Sequence, residues 1–231
     1  MKKFLAAFSA LLFLSQSSDA QIYTSIGDKF TFGHSWTVGN RTDNQKYKFH
    51  PSVQVGRMGR LNFGQNVNLG LGTFFSTEGV SFKDDNSNTT TEQRMNYIRV
   101  PLIATFDLGN SVNRVLPRIS VGPSVGFLVG GKSLIKTEED ALVGYKTTKL
   151  MSTKVDAGVN ASLGVNVKIT DGFTFSPDIT YYHGLVENKY NAGLAGMANA
   201  PSFTHRNLGI SMGMSINSDA MKAWKQKMHR R

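Results

Sequence analysis

Residues 154–169 alternate with a period of two along their whole length: Val155, Ala157, Val159, Ala161, Leu163, Val165, Val167 and Ile169 share one face. Asp156, Gly158, Asn160, Ser162, Gly164, Asn166 and Lys168 share the other. Successive side chains of a β-strand point to opposite sides, so the run is a strand with one apolar face and one face of polar residues and glycine. A slip of one residue would exchange the faces, so the two sides must meet different surroundings. The same alternation fills 96–108, 118–129 and 206–216, and in weaker form 29–39, 50–63, 67–82 and 173–186, which makes eight predicted strands.

The connections alternate in length. Residues 64–66, 109–115 and 170–172 are short, the last containing the hairpin-favouring pair Asp171-Gly172, whereas 40–49, 83–94, 130–153 and 187–205 are long and polar. This parity predicts an all-β fold: an eight-stranded antiparallel up-and-down transmembrane β-barrel, with short periplasmic turns and long extracellular loops. The longest apolar run, 4–14, is too short to cross a bilayer as a helix and follows Met1-Lys2-Lys3. It reads as a cleavable signal peptide over residues 1–20, with Ser18 and Ala20 at the positions a signal peptidase recognises. The barrel is then assigned to 21–216 and a basic periplasmic tail to 217–231. With Cys 0, disulfides, thiolate metal sites and a cysteine nucleophile are excluded. The net charge of +10 suits lipid headgroups, and nucleic acid is not an expected partner of an exported chain.

Alternation does not say which face points outward, since soluble and membrane barrels differ only by that inversion. The polar face decides for the membrane. It is rich in glycine and serine, which fit a narrow lumen and weaken a water-facing strand. It also carries Glu78, Arg99, Arg118, Lys154, Asp156 and Asp178. A lumenal charge network of Glu78, Arg99, Asp156 and Asp178 is expected, because opposite charges pair where an isolated ion is expensive. Phe30, Phe32, Phe63, Phe106, Phe127, Phe173 and Tyr181 fall on the apolar face and are expected in interfacial girdles. Arg57 interrupts that face, which implies a bulge, an interfacial position or a different register.

The segment Tyr97-Ile98-Arg99-Val100-Pro101-Leu102-Ile103-Ala104, with Pro117-Arg118-Ile119-Ser120-Val121-Gly122-Pro123-Ser124-Val125-Gly126 after it, resembles the outer-membrane β-barrel domain family, the porin-family proteins of Gram-negative bacteria. The resemblance implies the fold and a location in the cell outer membrane. It implies no catalytic set. One departure is that Ile216 is followed by the basic tail, where the family's last strand ends on an aromatic residue.

Three motifs carry chemistry on paper. Residues 126–133 match the phosphate-loop spacing, but Phe127 and Val129 continue a strand where that chemistry needs a helix. His50 and Ser52, two apart on one strand face, have the residue types of a lipid hydrolase's base and nucleophile. Residues 84–88 are oxygen-rich but lack the spaced carboxylates of a calcium loop, and the histidines show no metal-ligand spacing. No cofactor is expected. In the tail, Met221, Trp224 and Met228 share a helical face with Ser218 as N-cap, and Lys222, Trp224, Lys225, Lys227, Arg230 and Arg231 are expected on an anionic lipid surface. The expected function is a non-enzymatic outer-membrane protein presenting extracellular loops to a ligand. The alternatives are a narrow or gated channel for small solutes and a lipid hydrolase.

Overall fold

The computed structural model describes residues 22–39, 45–64, 66–84, 89–110, 113–136, 143–170, 172–189, 202–218 and 220–221. The predicted signal peptide, the loop at 85–88 and the tail residues Lys222, Trp224, Lys225, Lys227, Arg230 and Arg231 lie outside them. Among the described residues there are strands β1 (Ile22–Gly39), β2 (Gln45–Lys48), β3 (Pro51–Phe63), β4 (Val67–Asp84), β5 (Thr89–Asp107), β6 (Val115–Gly130), β7 (Lys132–Lys136), β8 (Val143–Lys146), β9 (Val155–Thr170), β10 (Phe173–Gly184), β11 (Asn188–Lys189) and β12 (Ser202–Asn217), with a helical turn α1 (Thr147–Leu150).

Eight of these strands close into a ring in the order β4-β3-β1-β12-β10-β9-β6-β5, and the β4–β5 pairing returns to the start. Closure leaves no unpaired edge in the wall, which a bilayer demands. The seam between the first and last strands is continuous from Ser25↔Asn217 to Gly39↔Phe203. At Gly33, opposite Gly209, an added Cβ would stand 2.2 Å from the Leu208 carbonyl oxygen, so glycine permits the close approach there.

Burial gives the orientation. Leu163, Ile179 and Ile210 are 62, 60 and 63% exposed, whereas Arg99, Arg118, Asp156 and Asp178 are at most 5% exposed. That is the reverse of a water-soluble barrel, and it turns the apolar face of every strand toward hydrocarbon.

Several expectations change in detail. Residues 83–84 and 89–94, predicted as part of a loop, are the continuation of β4 and β5 beyond the barrel, paired out to Asp84↔Thr89. Both faces of that extension are polar, so it lacks the alternation that marks the wall, while its threonines still favour a strand. β2 adds to the outer edge of β4, β7 to β5, and β8 to β7, so the long connections at this end carry a projecting sheet. Phe30 and Phe32 lie in the middle of β1, 47 and 50% exposed, inside the apolar belt and not in a girdle. The register of β1 with β3 runs without a bulge, so Arg57 does face outward, and its guanidinium pairs with Asp28. After β12 the cap is Asn217: its Oδ1 accepts from the Ala220 amide at 2.8 Å, the N-cap pattern expected of Ser218.

Candidate functional site

Inward-facing polar residues from all eight wall strands meet in the lumen, where two charge clusters are stacked. The upper one, toward the long connections, is built on Arg99. Its Nε and a terminal nitrogen donate to the two oxygens of Glu78, each at 2.6 Å, and the same terminal nitrogen donates to Asp156 Oδ2 at 2.7 Å. The guanidinium lies 4.2 Å from the Tyr182 ring centre and 4.9 Å from that of Tyr97. A cation between two aromatic faces and two carboxylates is held by both the quadrupoles and the opposite charges. Tyr182 donates its hydroxyl to Asp156 at 2.8 Å and Ser76 donates to Glu78 at 2.5 Å, while His205 Nε2 stands 3.2 Å from the Tyr97 hydroxyl.

Asp178 is absent from this cluster. Its place is nearer the short turns, where Arg118 donates to Asp178 Oδ1 through Nε at 2.9 Å and through a terminal nitrogen, and Lys29 Nζ reaches Oδ2 at 3.1 Å. Arg118 also donates to Asn166 at 3.1 Å, and Asn166 passes the chain on to Asp107 at 2.6 Å. The single network expected from sequence is therefore two. The physical reason is reach: Asp178 pairs with Ser211 and Gly164 across its neighbours, and Gly164 stands eight residues along β9 from Asp156. Lys29, Tyr97, Tyr182 and His205 were not singled out beforehand, although strand parity places each of them inward beside a charged residue.

Above the Arg99 cluster, Met95, Tyr97, Leu128, Met151 and Phe203 form an apolar plug. Met151 is 1% exposed and arrives from α1, where Thr147 donates to the Arg94 carbonyl at 2.7 Å. Between the clusters lies a cavity of about 70 Å³ lined by Arg60, Arg99 and Arg118 among others. Below them a vestibule of about 330 Å³, lined by Asp107, Arg118 and Lys168, adjoins the short turns.

The hydrolase geometry is not assembled. Ser52 donates its hydroxyl to Asn207 Oδ1 at 3.1 Å, and the His50 amide donates to His34 Nδ1 at 3.1 Å, while His50 Nε2 has no partner and faces Gly79. The phosphate-loop look-alike runs from β6 straight into β7 through Gly131 at φ +134°, so strand follows strand where a phosphate site needs a helix.

A search of curated proteins finds no match to the chain. Among solved structures it is similar to the outer membrane protein OprG of Pseudomonas aeruginosa, with 12% identity, a TM-score of 0.57, and coverage of 85% of this chain and 96% of that one. It also matches the Escherichia coli outer membrane protein W, with 12% identity, a TM-score of 0.47, and coverage of 85% and 98%. At 12% identity the likeness to OprG speaks for the fold alone. The model of the outer membrane protein beta-barrel domain matches residues 15–190, more than half of the chain, and with the closed, inside-out barrel it shows that this protein belongs to that family, in the outer membrane.

Proposed function

We propose that the protein is a non-enzymatic, non-conducting anchor whose long connections form an extracellular platform for surface binding. The observation that carries this is the sealed lumen: an apolar plug and two ion-pair layers stand in series across it, and the cavity between the layers holds only about 70 Å³. Eight strands leave an interior that side chains fill. The short turns face the periplasm in this reading, and the projecting sheet of β2, β4, β5, β7 and β8 stands outside the cell. Among the described residues on and beside that sheet, Lys48, Lys83, Lys132, Lys146 and Lys149 outnumber Asp84, Glu92 and Glu187, so its ligand is expected to be anionic. The predicted signal peptide and a lipid-binding role for the basic tail belong to the same proposal.

A gated channel is the second reading, favoured by the polar lumen and by the vestibule of about 330 Å³ below it. Planar-bilayer recording decides between them. The anchor predicts silence from the parent and from an Arg99→Ala variant. Discrete conductance steps in the parent would establish the channel and overturn the anchor.

A further inference from the structure

Asp28 and Arg57 are an ion pair on the wrong side of the wall. Arg57 Nε donates to Asp28 Oδ1 at 2.7 Å and its terminal nitrogen to Oδ2 at 3.0 Å, and the two side chains are 65–66% exposed. They face outward within the apolar belt. Ile26 and Phe30 flank Asp28 along β1, Val55 stands above Arg57 on β3, and Met214 and Thr73 are their neighbours on β12 and β4. Charged groups on the lipid face of a barrel are destabilising in a depth-dependent way.

We infer that this patch is the contact between two copies of the chain in the membrane. The argument is charge complementarity under symmetry. Two barrels inserted in the same sense are related by a two-fold axis normal to the bilayer, which preserves depth and reverses lateral order. The bonded carboxylate and guanidinium stand side by side, on register-paired residues of neighbouring strands. An axis passing between them sets each Asp28 against the other copy's Arg57, so that two dipolar pairs close into a four-charge ring without exposing an ion to hydrocarbon. The surface around the pair permits the approach. Gly59, outward-facing, two residues from Arg57 along β3 and diagonal to Asp28, has nothing within 4 Å of where a Cβ would stand, which leaves a shallow recess beside the pair. Small residues that let backbones come close are what packing inside a bilayer favours. A lipid-solvated pair would gain nothing from that recess.

The test uses energy transfer between full-length copies in phosphatidylcholine vesicles at a low protein-to-lipid ratio. The chain has no cysteine, so a single Lys146→Cys on the projecting sheet carries the donor or the acceptor. The parent is expected to transfer well above the level of randomly distributed barrels. Asp28→Arg and Arg57→Asp each place like charges across the axis, and each is expected to weaken self-association about tenfold or more. Mixing donor-labelled Asp28→Arg with acceptor-labelled Arg57→Asp restores opposite charges across the axis and should restore transfer. Heat-modifiable gel migration checks that each variant is folded. If a reversal does not fold, Asp28→Asn and Arg57→Gln replace the pair, with transfer reduced in both. Random-level transfer in the parent, undiminished transfer in the variants, or no recovery in the mixture of folded reversals would each overturn the dimer.

Discussion

Removing Arg99 should be the most damaging single change to the barrel that leaves its volume nearly intact. Arg99→Met keeps a long side chain between Tyr97 and Tyr182, but it withdraws the cation from Glu78 and Asp156, which together receive three charge-assisted hydrogen bonds from it. Two carboxylates then face each other across a space that one guanidinium had filled. At a separation of about 5 Å and an effective dielectric constant of about 20, their repulsion is about 3 kcal/mol. Breaking a buried ion pair by deleting one partner typically costs about 3–5 kcal/mol in total, and the burial of Arg99, Glu78 and Asp156 puts this site in that class. The assay is reversible urea unfolding in detergent micelles, followed by the fluorescence of Trp36 and Trp224. The midpoint should fall with the slope unchanged. Adding Glu78→Gln and Asp156→Asn to Arg99→Met should recover most of the loss, because it removes the repulsion and leaves groups that still hydrogen-bond. A loss below about 1 kcal/mol for Arg99→Met, or no recovery in the triple variant, would refute the claim that the layer is held by charge compensation.

Two further predictions follow from the wall and from Ser52. Gly33→Val places a Cβ 2.2 Å from the Leu208 carbonyl oxygen on the closing seam, so the compact, heat-modifiable form should be lost while the inserted chain remains detectable by immunoblot. Ser52→Ala should leave the lipid A and phospholipid profile of expressing cells unchanged, and should lower stability by about 0.5–1.5 kcal/mol through loss of the bond to Asn207, measured in the same urea assay.

The wall of the barrel was legible because the bilayer imposes its pattern residue by residue. Val155 to Ile169 read as a strand with a known outside, and the structure turns Val155, Leu163 and Ile169 outward and Asp156 and Ser162 inward. Beyond the wall that pattern stops. At Lys83 and Asp84 and at Thr89 to Arg94 the strands continue beyond the wall, so no alternation marks them, and their polar composition reads as a loop. The short strands β2, β7 and β8 are concealed in the same way: each is held by pairing to a neighbour and not by a face of its own.

The lumen was legible in kind and not in arrangement. Parity gives the side to which Glu78, Arg99, Asp156 and Asp178 point, but the level at which each stands depends on how eight tilted strands are staggered, which no single strand records. That stagger separates Asp178 from Asp156 and gives each its own arginine. Arg57 shows the complementary case. Read along β3 alone it is an error in an apolar face, and every local repair, a bulge or a shifted register, is a way of hiding it. The partner that explains it lies on β1, where Asp28 stands in the same outward row. A charge that breaks a pattern in one strand therefore asks to be tested against the facing rows of its neighbours before the pattern is abandoned. Here that test converts an apparent defect into a bidentate pair, one that a second copy of the chain would shield from lipid.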